Sequence, residues 1–506
     1  MRKSVCWVYL FLFGFTLAQW VGAAPVIGAE RTRNLRQLDY APMLMEYHAH
    51  TVGSSRQFFT YPQRNYDFIH DFAKSEGQAL VYYADSLGSG TGAHHFAIAA
   101  SPLLGVDYRG GESLGDTIWP GIDGGLYLRG YADSIDFDLD ARIYAESHSA
   151  KKPQSYDGEI FDVQSEGSNA GADYVSYARY RAHLGFNYAF ARLQLARDVM
   201  HWGPGFFNNL SLNQYAQPYN MLTFDFVFGP LRVFSAYADL RIDSWTYGLA
   251  GTINLMDRNL YAHRYELSLF SGDLTLGMSE VQVLYNENKP WLFVPVIPLF
   301  MEKGNYAEHV NNGALSFDIN YRLFNMVRLY GEFFLDDMES PVALYENEYS
   351  NNRWAGMLGM HAAHNFSIGR HTLRAGTIAE IARVEPYTYG HYEPMQGQMA
   401  NLGMPIGNPN GSNSLSVDWL LYSALPVADY QSVFVGLRNQ WLWKGTDQGS
   451  DINDEYKTVR KRFLRDAKMR YNATPSLNYA GRFVSFTGEF TLGSDPAVYL
   501  RMMVMI

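Results

Sequence analysis

Hydrophobic and polar residues alternate along much of this chain, which is the pattern of β-strands with one apolar and one polar face. The alternation is clearest over residues 135–143, 179–188, 222–228, 315–323, 327–336, 484–490 and 498–506. These segments are about 9–12 residues long, the length that a tilted strand needs to cross a membrane. A soluble β-sandwich would alternate too, but this pattern recurs over roughly 400 residues without an obvious domain break. We therefore expect the apolar faces to meet lipid.

A sheet in hydrocarbon can leave no edge unpaired, so the strands must close into a barrel. The sequence predicts an all-β protein: a transmembrane outer-membrane β-barrel that begins near His94 and runs to Ile506. At roughly 20–25 residues for each strand and its loop, it would have about 16–20 antiparallel strands, with an even number favoured. The final residue departs mildly from the aromatic end that is commoner in such barrels.

The N-terminus has the layout of a secretory signal peptide over residues 1–23. Arg2 and Lys3 precede the uncharged run 5–18, and small residues then end at Ala23. That run is too short to span about 30 Å of hydrocarbon as a helix, which argues against a membrane anchor. Residues 24–93 lack strict alternation. They predict a small, partly helical periplasmic segment that lies under the barrel or plugs its mouth.

Charge and composition exclude several classes of function. The chain carries 40 basic and 51 acidic residues, a formal charge of −11 that becomes −13 once the basic residues of the leader are removed. Nucleic acid requires a basic surface, so it is not an expected partner. Cys6 lies inside the leader and is the only cysteine, which excludes disulfides and thiolate chemistry in the mature chain. Aromatics make up 15% of the residues and mean hydropathy is −0.21, as expected for a wet lumen with aromatic girdles.

Three motif blocks stand out, in order, over about half of the mature chain. The first block, within residues 190–230, contains Arg197-Asp198, His201-Trp202-Gly-Pro-Gly and Asn208-Asn209. The second contains His263-Arg264, residues 276–280 and Tyr330-Gly-Glu332-Phe with Asp336-Asp337, and the third is the glycine-rich stretch 397–414. Together these blocks resemble the Wzi capsule-assembly family of outer-membrane proteins.

The resemblance implies a single barrel of about 18 strands with a small helical part on the periplasmic side. It also implies a non-catalytic, lectin-like role in holding capsular or other surface polysaccharide to the cell. The expected partners are that polysaccharide, outer-membrane lipid and periplasmic export machinery. The long stretch before the first clear strand departs from the family pattern.

Trp202 is the most distinctive candidate for ligand binding. Gly203 and Gly205 around Pro204 permit a tight bend, and a ring on a rigid turn could stack on a sugar. The alternative is a purely structural loop that folds into the lumen and is locked by pairing of Arg197 with Asp198. The remaining candidates within this loop are His201, Asn208 and Asn209.

Three further candidates lie outside the first block. Trp291 belongs to an apolar stretch with two prolines, which predicts a loop near the membrane interface or, less favoured, a sugar-binding loop. Arg328 and Glu332 have the phase of lumen-facing residues, where mixed charges usually pair with one another or tune a channel. Arginines would be needed to attract an anionic polysaccharide to so acidic a protein.

Catalytic and metal sites are not expected. The sequence contains no HExxH, and His48, His50, His94 and His95 lack metal-site companions at convincing spacing. The carboxylates of Asp336 and Asp337 would point to opposite faces of a strand. No enzyme activity and no cofactor are therefore predicted. The alternative to a lectin is a passive diffusion porin for small polar solutes, and occlusion of the lumen would distinguish the two.

Overall fold

The computed structural model describes most of the chain after residue 80 and a few positions before it. The described residues are 44–45, 48, 51–52, 81–87, 94–111, 119–147, 174–188, 190–242, 258–305, 311–337, 352–428, 431–455, 461–481 and 484–505. The predicted signal peptide and most of the predicted segment 24–93 lie outside these residues.

The described residues are mostly β-strand. The strands are β1 (Val81–Leu87), β2 (His94–Gly111), β3 (Trp119–Ala132), β4 (Ile135–Ser147), β5 (Tyr174–Tyr188), β6 (Ala191–Asp198), β7 (Tyr219–Phe228), β8 (Leu231–Leu240), β9 (Arg258–Leu269), β10 (Leu274–Tyr285), β11 (Asn311–Leu323), β12 (Val327–Asp337), β13 (Arg353–Ile368), β14 (His371–Val384), β15 (Ala400–Asn401), β16 (Met404–Pro405), β17 (Ser414–Ala428), β18 (Gln431–Lys444), β19 (Lys468–Ala480), β20 (Val484–Gly493) and β21 (Ala497–Met505). Short helical turns occupy Pro290–Phe293, Leu299–Glu302 and Pro394–Gly397.

Eighteen of these strands close into an antiparallel ring, which confirms the predicted barrel and its even strand number. Each strand pairs with the next along the chain, and β21 returns to pair with β2, with Met505 opposite Leu103. The separate pair β15–β16 belongs to a loop. Closure leaves no free edge in hydrocarbon.

The outer surface of the ring is apolar and the inner surface polar, in the phase that the sequence predicts. Outward residues such as Ile143, Phe317 and Leu358 are exposed, whereas their neighbours Arg142 and Asp318 are buried. This apolar belt around a closed ring is the surface of an outer-membrane barrel. Among the described helices, none has the length and hydropathy of a membrane span.

The two ends of the barrel differ. Short turns such as 133–134, 229–230 and 324–326 join strands at one end, and the connections 199–218, 286–310 and 385–413 leave the other. In outer-membrane barrels the short turns are periplasmic and the long loops extracellular. We therefore call the first end periplasmic and the second end extracellular.

The barrel sheet begins earlier than the sequence pattern predicts. Residues 81–87, expected to belong to a partly helical segment, instead form β1 and pair with residues 94–100 of β2. The reason is register: β21 covers only residues 103–111 of β2, so the periplasmic half of β2 needs another partner. β1 supplies it.

A short part of the N-terminal segment lies inside the barrel. Leu44, His48 and Thr51 have helical backbone and are buried. His48 hydrogen-bonds Tyr422 at 2.8 Å, and Thr51 hydrogen-bonds His361 at 2.9 Å. Both partners lie on the lumen face of the wall, so these residues occupy the lumen.

Candidate functional site

The connection between β6 and β7, residues 199–218, folds into the lumen rather than out to solvent. We call it the inward loop. Nearly all of its residues are buried, and Trp202 N–H donates to the Leu212 carbonyl at 3.0 Å to close it on itself. Gly203 has φ +114°, and a Cβ there would lie 2.7 Å from the Glu332 carboxylate. The glycine is required both by its backbone and by this close approach.

Glu380 on β14 anchors the tip of the inward loop. Its carboxylate accepts the backbone N–H groups of Phe206, Phe207 and Asn208, at 2.5, 2.9 and 3.0 Å. The Tyr330 hydroxyl donates to the same carboxylate at 2.8 Å. A buried carboxylate that gathers several donors is well compensated for the loss of water.

Glu332 on β12 anchors the next residues in the same way. It accepts the N–H of Leu210 at 2.8 Å and that of Ser211 at 3.0 Å, together with the Ser211 hydroxyl. Asn208 also donates to Asp418 at 3.0 Å, and Arg438 pairs with Asp418 while lying 4.3 Å from the Phe207 ring centroid. The loop is therefore fastened to the barrel wall by three carboxylates.

A second connection, residues 385–413, packs onto the first, and we call it the second inward loop. The Tyr389 hydroxyl donates to the Leu210 carbonyl at 2.9 Å, and the Tyr389 N–H donates to Asp336 at 2.8 Å. The N–H of Asn213 donates to the carbonyl of Ile406 at 2.7 Å. Asn408 and Asn410 approach Asn208.

The three motif blocks of the sequence thus meet in one place. The first supplies the inward loop, the second supplies Tyr330, Glu332 and Asp336 on β12, and the third supplies the part of the second inward loop that packs on it. Segments about 200 residues apart in sequence converge because the ring brings β7, β12 and β14 around one lumen. The candidate site is this convergence and the extracellular surface that it supports.

Within the site, Trp202 and His201 are buried rather than presented to solvent. The Trp202 ring is 0% exposed and packs edge-on against Phe234 at 5.2 Å between centroids. The Asn209 amide approaches the His201 ring, 2.8 Å from Nε2. Burial lowers the pKa of His201 to about 3, so the ring is neutral at physiological pH. In this conformation Trp202 is a packing residue of the loop.

The other sequence candidates lie in three places. Asp198 pairs with Arg181 at 3.1 Å, and the Arg197 guanidinium lies 4.9 Å from the centroid of the Tyr180 ring. The two residues have these contacts on opposite faces of β6, as neighbouring residues of a strand do. Arg328 is buried and donates to Asn320 at 3.0 Å. Trp291 is 51% exposed on a different surface.

That surface is formed by the connection 286–305, which folds over the outer wall of the barrel. We call it the outer strap. Its carbonyls accept hydrogen bonds from outward side chains of the wall: Ser235 donates to Phe293 O, and Tyr265 donates to Pro295 O at 2.5 Å. Beneath it, Tyr261, Leu284 and Leu292 form a small buried cluster. The strap explains why the polar residues His263 and Glu280 can occupy the outward face of a membrane barrel.

Glu380, Asp418, Tyr389 and Asn408 are the site residues that sequence reasoning missed. The only signal for Glu380 was that it is the single acid of residues 377–384, because the polar residues there are spaced by three and do not alternate. Tyr389 and Asn408 carry no such signal, because they lie in irregular backbone where no periodicity assigns a face.

Tyr392 is an exposed aromatic residue of the second inward loop. Its side chain is 38% exposed, directly after the buried His391. The Asn312 amide holds this part of the second inward loop by donating to the carbonyls of Gly390 at 3.2 Å and Gly397 at 2.9 Å. The ring therefore stands on a fixed backbone. Within the described part of the chain, no three His, Cys, Asp or Glu side chains are grouped so that they could hold a metal ion.

Comparison with known proteins identifies the fold. No protein-family model and no curated protein matches the sequence. Among solved structures, the chain is similar to Wzi of Escherichia coli, an outer-membrane protein involved in group 1 capsule assembly and described as a carbohydrate-binding β-barrel. The TM-score is 0.52 at 13% identity, covering 97% of this chain and 99% of Wzi.

Other similar structures are an outer-membrane protein and a porin of Pseudomonas. OpdK of Pseudomonas aeruginosa gives a TM-score of 0.42 at 10% identity, and a BenF-like porin of Pseudomonas fluorescens gives 0.42 at 6%. Each alignment covers 81% of this chain and 98% of the other. These likenesses concern the fold of an outer-membrane barrel.

Proposed function

We propose that this outer-membrane barrel is a non-enzymatic, lectin-like protein that binds surface or capsular polysaccharide and helps to attach or assemble it. The observation that carries the proposal is the inward loop, whose tip is fastened to the wall by Glu332 and Glu380. A fixed, fully packed loop would obstruct a passage for solutes. The same loop would give an extracellular polymer a rigid surface to bind.

The packing of the lumen supports the same interpretation. The second inward loop covers the first, and the described residues of the N-terminal segment lie below, where His48 contacts Tyr422. Side chains from the N-terminal segment, the inward loop and the barrel wall meet at one buried cluster that includes Leu44, Phe207 and Tyr422. The fold is also that of Wzi, described as a carbohydrate-binding barrel.

The platform suggests which residues would touch sugar. We assign Trp202, Asn208, Asn209, His201 and Glu332 a positioning role, because they are buried beneath the surface. Direct contact would fall to exposed groups above them, with Tyr392 as the stacking ring. Aromatic rings on a fixed backbone lose little conformational entropy on binding, which suits recognition of a flexible polymer.

Calorimetric titration of the purified barrel with the organism's own surface polysaccharide tests the proposal, beside an unrelated polysaccharide. Saturable heat with the first alone is expected, and Tyr392→Ala should weaken binding by about tenfold, the loss of one aromatic contact. Phe324→Ala is the matched control, since Phe324 is 89% exposed at a periplasmic turn. Absence of heat with both polymers would contradict the lectin function.

The porin is the second candidate, favoured by the charged wall on the other side of the lumen. Here Arg501 pairs with Asp123 at 2.7 Å and Arg142 pairs with Asp140 at 2.8 Å, an arrangement that also lines polar channels. Conductance in planar bilayers decides between the two. Steady single-channel currents from the wild-type barrel would favour the porin.

A further inference from the structure

One segment of this acidic protein is strongly basic. Residues 457–470 carry seven basic side chains and one acid, Asp466, a net charge of +6. The whole chain has a charge of −11, so the rest of it carries −17. The segment, which we call the basic segment, runs from the extracellular connection between β18 and β19 into the start of β19, and the structure describes it from residue 461 onward. Because the positive charge is confined to one short segment, it indicates an anionic partner that binds at this segment.

The described part of the basic segment is attached to the outside of the barrel rim. The Phe463 ring lies 4.0 Å from the guanidinium of Arg383, which also lies 5.3 Å from the ring of Trp354. Arg383 and Trp354 have the outward phase of their strands, since the neighbouring Ala382, Val384 and Ala355 are buried toward the lumen. Lys461 fixes the start of the segment by donating to the Asn352 carbonyl. Burial lowers its pKa.

The contact between the basic segment and the wall lies at the level of the membrane boundary. Trp354 and Arg383 lie at the extracellular ends of β13 and β14, where outward aromatic residues of a barrel mark the boundary between hydrocarbon and headgroups. Trp441 on β18, whose ring centroid lies 5.2 Å from that of Tyr471 on β19, has a similar level on the far side of β17. The basic segment therefore stands at headgroup level and beside the wall, not above the lumen.

The guanidinium groups of the basic segment remain accessible: Arg462, Arg465 and Arg470 are 39%, 46% and 49% exposed. Arg383 on the wall beside them is 46% exposed. The contacts of Arg462 and Arg465 with Asp447 are both 3.8 Å long, and Arg465 lies 3.5 Å from Asp466. Exposed pairs of this length contribute little and are easily exchanged for a stronger acceptor. Arg383 pairs closely with Glu385 at 2.6 Å, so we assign it to anchoring rather than to ligand binding.

We propose that the basic segment binds the phosphorylated sugar headgroup of an outer-leaflet glycolipid, with Arg462 and Arg465 on its phosphates. Guanidinium groups form bidentate, charge-assisted hydrogen bonds with phosphate. A free acidic polysaccharide would also be attracted, but the position at the aromatic girdle favours a partner that is itself embedded in the membrane. This interaction is independent of the polysaccharide function proposed above.

The test compares bisphosphorylated lipid A with its dephosphorylated form, each added to the full barrel in detergent, with binding measured by native mass spectrometry. Arg462→Glu combined with Arg465→Glu should weaken binding of the phosphorylated form by about tenfold or more. Arg370→Glu, at a periplasmic turn, is the control and should leave it unchanged. Heat-modifiable gel mobility checks that each variant is folded.

Three results would overturn the proposal: equal affinity for both forms of lipid A, equal weakening by Arg370→Glu, or unchanged affinity in the double variant. If the double variant kept its lipid A affinity but lost affinity for the organism's acidic polysaccharide, the segment would be a polymer site instead. Failure of the lectin titration would not affect any of these outcomes.

Discussion

The carboxylate of Glu380 on β14 accepts the backbone N–H of Asn208 at 3.0 Å, although the two residues are 172 positions apart in sequence. This bond joins a conformationally irregular loop to the most regular part of the molecule, the barrel wall. Because two further N–H groups share the same carboxylate, the backbone donors of residues 206–208 all depend on one side chain.

Glu380→Gln should release the tip of the inward loop. An amide presents only one acceptor atom, and its NH₂ group would face backbone donors, so buried N–H groups would lose their partner at a cost of about 2–4 kcal/mol. We expect a lower unfolding midpoint and faster hydrogen exchange over residues 206–208. Glu393→Gln, at an exposed position, is the control and should change neither. Slow exchange retained in the Glu380 variant would contradict the anchoring role.

Gly203→Ala should disturb the same loop through its backbone. The residue has φ +114°, and the added Cβ would lie 2.7 Å from a Glu332 oxygen. Gly229→Ala offers a matched comparison, because Gly229 also has positive φ, +57°, but nothing lies within 4 Å of the added atom. The control should lose about 1 kcal/mol from backbone strain alone, and Gly203→Ala about 1–3 kcal/mol more, from the contact and from a φ outside the left-handed helical region. Equal losses in chemical denaturation would show that the contact has no effect.

Acid should loosen the inward loop through His201. Burial lowers the pKa of this ring to about 3 from an ordinary 6.5, so the folded state holds it neutral. A histidine with a lowered pKa contributes stability that is present above pH 6.5 and is lost as pH falls toward 3. At pH 5 the loss is about 2 kcal/mol. Hydrogen exchange over residues 200–211 at pH 7 and pH 5 measures it, and His201→Gln should show a smaller difference between the two.

The outer strap should be embedded in lipid. Val296 is 82% exposed on its outward side, and the mature sequence predicted here has no cysteine, so Val296→Cys provides a single labelling site. In nanodiscs we expect it to resist a water-soluble maleimide and to be quenched by nitroxide-labelled lipid. Phe324→Cys, 89% exposed at a periplasmic turn, should show the opposite behaviour. Rapid maleimide labelling of Val296→Cys would place the strap in water.

Removing the wall donors should detach the strap. Ser235→Ala with Tyr265→Phe leaves the carbonyls of Phe293 and Pro295 without their partners. An unsatisfied carbonyl in hydrocarbon costs several kcal/mol, so the strap should move toward water. In the Val296→Cys background, this double change is expected to raise the maleimide labelling rate. An unchanged rate would mean that apolar packing of Leu292 and Tyr261 is sufficient.

The barrel was predictable from the sequence because period-2 alternation is a local signal. Arg328 and Glu332 were placed on the lumen face by phase alone, and both are buried there. The start of the sheet was not predictable: β1 exists because β21 stops opposite Leu103, and register is a property of the closed ring. The sequence of residues 81–87 does not contain the register of β21 against β2.

The candidate site was predicted in composition but not in arrangement. The motif containing Trp202 was recognised as a loop, and its folding into the lumen was one of two alternatives. Its anchors could not be named, since Glu380 lies far along the chain and the contact depends on ring closure. Trp291 was expected near the membrane interface, but nothing in its sequence indicated that Ser235 and Tyr265 would hold the strap to the outer wall.

The outer strap makes the circumference of the barrel uneven. Over β8–β10 the wall is two layers thick, with Trp291, Val294 and Met301 as its outermost groups. Elsewhere, as at Ile143 or Leu492, strand side chains form the perimeter directly. A neighbouring barrel in a crowded membrane can therefore approach the bare strands closely, whereas β8–β10 keep it at a distance. Lateral packing in the plane of the membrane should consequently have a preferred direction.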